Sequence, residues 1–322
     1  MNNNSQNTDA PPPSPLAPPT LLSRITAIPS ILALFLAFVL PPPILRAIAH
    51  IGGRLAWHLG FGLRKTVMDN LRIVYGDSKS QEELKYIGRL SMRHVIASFI
   101  EFCIMYRPPY EQVLAIPISG EEHLIRALEK NRGVLAVTCH VGNLFLMTAA
   151  LTRHGYPVSF VFKESSNAAL KEFMRENFIR MEVDPIYVKP RKEASRRSLY
   201  TLRNRGVLVV AMDQDTRSTA AGVEFFGVVV PTASRPMQMA METGASVIPI
   251  YMERHGWMKH EIMIGEPLPI SGSADNDDDV SKNLKLVNEF IERVVLENPR
   301  DWWWLHRRWK RAGKFADQNK GE

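Results

Sequence analysis

The chain has 322 residues, of which 45% are hydrophobic. This length and apolar content indicate a folded protein with a sizeable core, and they exclude a chain that is disordered throughout. Forty Lys and Arg against thirty-three Asp and Glu give a net charge of +7. That excess suits an anionic partner such as nucleic acid, an acyl carrier protein or a phospholipid surface, and equally an ordinary basic surface. Both cysteines, Cys103 and Cys139, lie in apolar runs, which favours a reducing compartment over a disulfide framework.

The N-terminal part of the chain changes composition twice. Residues 1–20 are polar and then proline-rich, which predicts a disordered tail because too little apolar area can be buried. Residues 21–63 are predicted to be a membrane anchor. Within them Ile25–Leu40 is almost uncharged and stops at three prolines, which indicates a short or tilted spanning helix. Ile44–Leu63 is amphipathic and carries four basic residues, as an interfacial helix does, although a buried hydrophobic hairpin is the alternative for the anchor.

Residues 64–312 are predicted to be one domain, followed by a flexible tail at 313–322. Apolar periodicity predicts helices at Asp69–Tyr75, Gln81–Tyr106, Asn143–His154, Asn167–Met181, Ala194–Arg205, Ser234–Thr243 and Ser281–Leu296. Short apolar runs predict strands at Val134–Cys139, Val158–Phe162, Ile186–Val188, Val207–Met212 and Ser246–Met252, with an antiparallel candidate at Glu261–Ile264. Apolar strands that alternate with helices indicate an α/β fold with a mainly parallel sheet flanked by helices.

Polar residues follow three of these strands, namely His140, Lys163 and Asp213. Ligands of parallel sheets bind at the carboxyl ends of the strands, so this shared placement predicts the functional site. No phosphate-binding glycine loop, zinc-type Cys/His spacing or Gly-x-Ser-x-Gly elbow is present in the sequence. We therefore expect no cofactor and no metal.

His140 is the first candidate for chemistry. A histidine that titrates near neutrality can take a proton from an alcohol as it attacks a thioester, although a histidine here could also simply cap the next helix. Lys163 and Glu164 follow the second strand, where the cation could bind phosphate or carboxylate, or where the two could form a salt bridge at the sheet edge.

The loop after the strand Val207–Met212 contains Asp213, Gln214, Asp215 and Arg217. Arginine suits bidentate phosphate binding, and Asp213 could orient it or act on the substrate. The simpler interpretation is a polar loop whose carboxylates cap one another. In this prediction Lys163 and Arg217 form an anion site within about 10–12 Å of His140.

The chain closes with three consecutive tryptophans among several arginines, in Asn298–Lys310. Three adjacent tryptophans cannot all face the core from one helix. The segment is thus interpreted as an aromatic and basic patch for a membrane interface. Single-stranded nucleic acid is the main alternative partner for such a patch.

Together these features resemble the late acyltransferases of lipid A biosynthesis, the lauroyl/myristoyl transferase family, which lies within the wider glycerolipid acyltransferase fold. The resemblance runs over roughly Ile28 to Lys310. It rests on the apolar N-terminus, the block around His140, and the segments Asp69–Tyr75, Val161–Lys163, Met212–Ser218, Val223–Tyr251 and Asn298–Lys310. It implies transfer of a fatty acyl group from an acyl carrier protein or coenzyme A thioester to a hydroxyl of a membrane lipid, such as a lipid A precursor, with no metal and no covalent intermediate.

The family motif is a histidine followed, after four residues, by an acid that orients it. In this chain Phe145 stands at the acidic position. Glu164 or Asp213 could take over the role, a backbone carbonyl could hold the ring in a slower enzyme, or the chain could be a degenerate paralogue that binds lipid or acts as a scaffold. Cys139 as an acyl-accepting nucleophile is a remote further alternative, since a buried thiol is usually inert.

The resemblance thus implies an acyltransferase at the cytoplasmic side of the bacterial inner membrane, acting in lipopolysaccharide biosynthesis without nucleic acid as a partner. The catalytic residues expected are His140, Asp213 and Glu164. The residues assigned to substrate binding are Asn143, Lys163, Gln214, Asp215 and Arg217. Phe145 is expected on the helix after His140, where it would line the cleft or an adjacent acyl path.

Overall fold

The structure is a computed structural model that describes residues 36, 39–104, 115–165, 167–216 and 220–312. The helices in these residues are α1 (Pro42–Leu59), α2 (Phe61–Tyr75), α3 (Gln81–Ile104), α4 (Glu121–Glu129), α5 (Leu144–Arg153), α6 (Ala168–Arg180), α7 (Arg191–Arg203), α8 (Arg235–Thr243) and α9 (Asp277–Glu297). The strands are β1 (Ile118–Ser119), β2 (Val134–Thr138), β3 (Val158–Phe162), β4 (Asp184–Tyr187), β5 (Val207–Ala211), β6 (Ala220–Phe225), β7 (Val228–Ala233), β8 (Ser246–Gly256) and β9 (Lys259–Ile264).

Seven of the strands form one sheet in the order β1-β9-β8-β2-β5-β3-β4. Every neighbouring pair in it is parallel except β8 and β9, which are antiparallel. The central strands β2 and β5 are continuous apolar runs because helices cover both faces of the sheet. The predicted α/β fold with a mainly parallel sheet, including its antiparallel candidate, is therefore confirmed.

Helices cover the two faces of the sheet in separate groups. Core residues of α7, α8 and α9 pack on one face together with α1, α2 and the first half of α3. Residues of α4, α5 and α6 pack on the other face, where Phe102 near the end of α3 joins them. Helix α3 therefore reaches both groups, and it passes the carboxyl edge of the sheet on the way.

Local sequence signals explain where several helices begin and end. Helix α1 starts with prolines in its first turn, which is the position that tolerates them, and it ends at Gly60. Before α3, the Ser80 hydroxyl and the Glu83 carboxylate bond each other's backbone N–H groups, as in a capping box. Helix α8 ends at Gly244, which adopts a positive φ that glycine allows.

The predicted helices and strands occur, most of them with ends shifted by a few residues, but α2 begins at Phe61, well before the predicted start at Asp69. The segment Ile44–Leu63 is not one helix, because the chain breaks at Gly60 and continues as α2. The hairpin of β6 and β7, which lies outside the main sheet, is absent from the sequence prediction. In the part of the chain that the structure describes, no helix is both long enough and apolar enough to span a membrane. The predicted spanning helix Ile25–Leu40 falls almost wholly outside the described residues, as do both terminal tails.

Candidate active site

The register of the sheet brings His140 beside Asp213. In the parallel pair β2 and β5, Thr138 lies opposite Ala211, and each candidate residue follows its strand by two positions. The backbone N–H of Met212 also donates to the carbonyl of Thr138 at 3.0 Å, which extends the pairing beyond the strands. The two side chains therefore meet because adjacent strands end together, not because they are near in sequence.

The His140 imidazole and the Asp213 carboxylate form a close pair. Nδ1 of His140 lies 2.7 Å from Oδ1 of Asp213. A carboxylate accepts hydrogen bonds only, so the contact places the ring proton on Nδ1 and leaves the lone pair on Nε2. The histidine is partly exposed and the acid is buried. At this hydrogen-bonding distance Asp213 can take over the role of the orienting acid, which was one of the alternatives that the sequence left open.

Asp213 is only 3% exposed, and two further donors satisfy its second oxygen. The backbone N–H of His140 donates to Oδ2 at 2.8 Å, and the indole N–H of Trp302 donates to it at 2.7 Å. Burial alone would raise the pKa of this carboxyl, but the charge of His140 and hydrogen bonds from His140 and Trp302 lower it to about 2. Asp213 is therefore ionised at neutral pH and fixed from three sides.

Gln214 and Trp303 both lie beside the imidazole of His140. The amide nitrogen of Gln214 lies 3.1 Å from Nε2, where it can donate to the lone pair. The ring of Trp303 stands edge-on to the imidazole with 5.7 Å between centroids, and Trp303 is 39% exposed. An incoming hydroxyl must therefore displace the Gln214 amide to reach Nε2.

The C-terminal segment corrects the sequence interpretation, because most of its aromatic surface is buried. It is irregular instead of helical, and Trp302 forms an isolated antiparallel bridge with Val141. Within this series of turns Trp302 and Trp304 are buried in the core, while Trp303 is exposed. Trp309 is buried as well. The segment is thus a support for the site, not an aromatic and basic patch on the surface.

Arg308 of this segment is fully buried behind the loop that follows β5. Its guanidinium donates to the carbonyls of Pro231 and Gln214 at 2.5 and 3.3 Å, and to the hydroxyl of Thr232 at 2.8 Å. Burial lowers its pKa to about 10, so it is still a cation at neutral pH. Arg308 therefore connects the loop that follows β5 to the hairpin of β6 and β7.

Asp215 in the same loop is also tied to the C-terminal segment. Its carboxylate accepts hydrogen bonds from Arg311, with distances of 2.8–3.0 Å. Its backbone N–H donates to Nε2 of His306 at 2.8 Å. Burial is the main cause of the lowered pKa of His306, which favours the neutral form that can accept this bond. Asp215, which we assigned to substrate binding, thus has structural partners.

The loop after His140 has a conformation that requires glycine. Gly142 has φ +67°, and a Cβ there would lie 2.1 Å from the carbonyl oxygen of Met252. Asn143 follows, and its buried side chain caps α5 by accepting from the N–H of Leu146 at 3.3 Å. Its amide also donates to the carbonyl of Ser98 at 3.0 Å. Asn143 therefore holds the loop, and its assignment to substrate binding stays a prediction.

Phe145 lies in the first turn of α5, as its spacing predicts, but its ring packs among other phenylalanines. Its centroid lies 4.8–6.2 Å from those of Phe102, Phe160, Phe162 and Phe178. Phe145 and Phe162 are only partly buried, whereas the other three are in the core. This cluster of five phenylalanines occupies the place to which the family motif assigns an acid.

The other candidates are placed differently. Glu164 pairs with Lys171, with 2.7 Å between the carboxylate and the amine, so Asp213 and not Glu164 is the acid that meets the imidazole. Lys163 is exposed directly after β3, whereas Arg217 lies outside the described residues. The anion site of Lys163 and Arg217 stays a prediction. Cys139 is fully buried, and burial with the nearby charge of Asp213 raises its pKa well above the ordinary value, so it is a poor nucleophile.

Sequence reasoning missed Trp302, Arg308 and His306 as parts of the site. Three consecutive tryptophans show no apolar and polar alternation, so the local sequence does not indicate which of them faces inward. No local signal marked Arg308 either. Among the residues that the structure describes, no three His, Cys, Asp or Glu side chains are grouped so that they could hold a metal ion.

The fold and the site define an α/β protein with a His–Asp pair at the carboxyl edge of its sheet, arranged for general-base chemistry. The sequence matches the model of the bacterial lipid A biosynthesis acyltransferase family over residues 20–311. The chain belongs to this family.

Two characterised proteins illustrate the range of similarity. A phosphatidylinositol mannoside acyltransferase of Mycobacterium tuberculosis is 26% identical over 197 residues, which is 60% of this chain and 59% of that protein. A lipid A biosynthesis acyltransferase of Haemophilus influenzae is 25% identical over 278 residues, or 84% of this chain and 86% of that protein. The match with the mycobacterial protein thus spans less than two thirds of its length.

Proposed function

We propose that this chain transfers a fatty acyl group from an acyl thioester to a hydroxyl of a membrane lipid. The observation that carries the proposal is the 2.7 Å contact between Nδ1 of His140 and Oδ1 of Asp213. This contact fixes the tautomer in which Nε2 can accept a proton, and it stabilises the imidazolium that forms. The acceptor is a lipid A precursor or a related glycolipid, in line with the names of the two relatives.

The reaction follows from this geometry. The acceptor hydroxyl attacks the thioester carbonyl carbon while Nε2 of His140 takes its proton, and a tetrahedral intermediate forms. The carbon–sulfur bond then breaks, and the imidazolium returns the proton to the leaving thiolate. The products are an ester and a free thiol. Asp213 holds the ring throughout and stays ionised.

The position of Phe145 does not argue against turnover, because the orienting acid comes from another strand. Asp213 has the same kind of contact with Nδ1 that an acid within the motif would supply, and its second oxygen is held by two donors. A degenerate lipid-binding paralogue has no need to keep a buried carboxylate fixed against a histidine. We therefore favour an enzyme over a scaffold. A single-stranded nucleic-acid binder is disfavoured, because only Trp303 of the three adjacent tryptophans is exposed for stacking.

The donor is a thioester of acyl carrier protein or of coenzyme A, since both present the acyl group on the same kind of thiol. Lys163 is exposed one strand away from Asp213, which supports a role in binding a phosphate of the donor or of the acceptor headgroup. Arg217 is proposed as its companion on the grounds of sequence.

We further propose that the protein acts at the cytoplasmic face of the bacterial inner membrane. Helix α1 packs Leu45 and Trp57 inward, and it exposes an apolar stripe made of Ile44, Ile48, Ile51, Leu55 and Leu59. The sequence has no acidic residue between Asp9 and Asp69, and exposed arginines flank the stripe. An exposed apolar stripe on a helix with exposed arginines and no acidic residue suits the surface of an anionic bilayer.

The test is acyl transfer by purified protein in vesicles that contain either a lipid A precursor or a phosphatidylinositol mannoside. The thioesters of acyl carrier protein and of coenzyme A, each with a radiolabelled acyl chain, are supplied separately as donors. We expect labelled lipid with at least one pair, and loss of labelling in His140→Ala. His255→Ala, which changes an exposed histidine, is the matched control. Lipid binding without transfer by the wild-type protein would identify the degenerate paralogue instead.

A further inference from the structure

A second group of charged residues lies buried beside the candidate active site. Glu101 of α3 is 0% exposed, and its carboxylate accepts hydrogen bonds from Arg254 at 2.5 Å and from His260 at 3.2 Å. Nε of Arg254 also lies 3.3 Å from Asp301, whose carboxylate lies 2.6 Å from Nδ1 of His94. The cluster thus joins α3, the end of β8, β9 and the C-terminal segment. None of its side chains touches the His–Asp pair.

The cluster holds the loop that follows His140 through several hydrogen bonds. The amide of Asn143 donates to Oε2 of Glu101 at 3.4 Å and to the carbonyl of Ser98 at 3.0 Å. The hydroxyl of Ser98 donates to the carbonyl of Gly142 at 3.2 Å, and Arg254 donates to that hydroxyl at 2.7 Å.

The backbone of the C-terminal segment completes the frame around this loop. The N–H of Gly142 donates to the carbonyl of Asp301 at 3.3 Å, and the N–H of Trp303 donates to the carbonyl of His140 at 3.0 Å. The main chain of the loop is therefore held from α3 on one side and from the C-terminal segment on the other. The imidazole of His140 is carried on this main chain.

A buried charged cluster of this kind adds little to the free energy of unfolding. Buried ion pairs often contribute less than apolar groups of the same volume, because desolvation offsets their attraction. Burial would raise the pKa of Glu101, but hydrogen bonds from His260 and Arg254 hold it at about 2, so Glu101 is charged at neutral pH. Its directional bonds instead fix one conformation of a loop in which Gly142 already needs a positive φ.

We propose that Glu101 and Arg254 are positioning residues for the reaction, which set the loop of residues 140–143 so that the His140 imidazole meets Asp213. The inference rests on the proposed acyl transfer for its kinetic part. Displacement of a catalytic group by about 1 Å can cost roughly 100-fold in rate, so a loosened loop should lower kcat while substrate binding is kept.

The experiment compares Glu101→Gln with Ser98→Ala in the full-length protein. Glu101→Gln keeps the shape and removes the charge. Ser98→Ala removes only a hydroxyl from a helix, so it is expected to fold. Ser159→Ala is the matched control, because Ser159 is a buried serine whose hydroxyl bonds Asp184 near the amino end of β3 and β4. Steady-state acyl transfer gives kcat and KM, and backbone hydrogen exchange of residues 140–146 is measured by mass spectrometry.

We expect kcat to fall about 10–100-fold in Glu101→Gln and several-fold in Ser98→Ala, with KM for the thioester within about twofold of the wild type. Exchange over residues 140–146 should be faster in both variants and unchanged in Ser159→Ala. A folded Glu101→Gln or Ser98→Ala with wild-type kcat and wild-type exchange would overturn the proposal. If the wild type shows no transfer, the proposed function fails separately, and the exchange rates still decide whether the cluster fixes the loop.

Discussion

Helix α1 and the C-terminal segment both combine apolar and basic residues, yet α1 exposes apolar side chains and the C-terminal segment buries them. In α1 the residues Ile51 and Leu55 are exposed, whereas in the C-terminal segment Trp302, Trp304 and Arg308 are buried. Composition alone assigns both regions to a membrane surface. The difference shows that spacing, not composition, decides which apolar residues are available to a partner.

The physical cause is the conformation of each segment. A helix with two apolar faces can bury one and present the other, and in α1 the buried face repeats every four residues from Leu45 to Trp57. The C-terminal segment is a series of turns with a bridge at Trp302, and in it Trp302 and Trp304 are buried whereas Trp303 is exposed. The buried C-terminal segment supports Asp213, and the exposed stripe of α1 is proposed to bind lipid. Substitutions should separate these two roles.

The largest effect is expected when the carboxylate of Asp213, which accepts a hydrogen bond from Trp302 of the C-terminal segment, is changed. Asp213→Asn removes the charge that orients and stabilises the His140 imidazole, and loss of the equivalent carboxylate in a comparable arrangement costs about 10⁴-fold in kcat. Acyl transfer from labelled thioester measures this, with Asp184→Asn at the amino end of β4 as control. Vesicle binding should be unchanged, and a loss of less than about tenfold would contradict the assignment of Asp213.

The lowered pKa of Asp213 predicts that the stability of the protein depends on pH. The pKa of Asp213 is lowered from 3.8 to about 2 in the folded protein, so its contribution is present above pH 4 and is lost as the pH falls through 2. The free energy of unfolding of the wild type should therefore exceed that of Asp213→Asn at pH 5, and the difference should shrink towards pH 2. A difference that grows on acidification would show that the sign is wrong.

Phe145→Glu tests whether the family acid could be restored at its motif position. Phe145 packs on Phe102, Phe160 and Phe162, so a carboxylate there loses apolar contacts and is partly buried without a partner. We expect a loss of roughly 3–5 kcal/mol in the free energy of unfolding and no gain in kcat. Denaturant unfolding and the transfer assay measure the two quantities. Phe145→Leu is the control that keeps the site apolar, and higher kcat in Phe145→Glu would favour the degenerate paralogue.

Trp302→Phe tests whether the C-terminal segment supports the acid of the site. It removes the indole donor to Asp213, and a hydrogen bond to a charged group contributes about 1.5–3 kcal/mol. We expect kcat to fall about 10–100-fold with little change in vesicle binding. Trp309→Phe is the matched control, because Trp309 is buried nearby but donates to the carbonyl of Phe225 instead of the acid. Equal losses in both variants would mean that packing, not the donor, matters.

Leu55→Asp tests the exposed stripe of α1, and we expect its effect on vesicle binding and not on kcat. Burial of one leucine in a bilayer interface contributes about 1.5–3 kcal/mol, so its loss should weaken binding to anionic vesicles about tenfold or more. Sedimentation with vesicles measures the affinity, and circular dichroism checks the fold. Ile179→Asp, on the exposed surface of α6, is the control. Equal weakening by Ile179→Asp would refute the stripe on α1 as the membrane surface.

Much of this arrangement could be predicted from the sequence, because strands and their ends are local features. Apolar runs located β2 and β5, and the carboxyl-end rule then brought His140 and Asp213 to one edge. The choice of Asp213 over Glu164 was open, since it depends on strand order and on Lys171, which pairs with Glu164 across a loop. The inward turn of Trp302 and the buried cluster around Glu101 involve residues up to about 200 positions apart, which periodicity cannot detect.

The most direct test of the central claim is a double-mutant cycle on kcat for acyl transfer with His140→Ala and Asp213→Asn. If Asp213 acts only through the imidazole that it orients, each single variant loses most of the activity, and the double variant is no slower than His140→Ala. Two losses that multiply, or wild-type turnover that survives His140→Ala, would contradict the account.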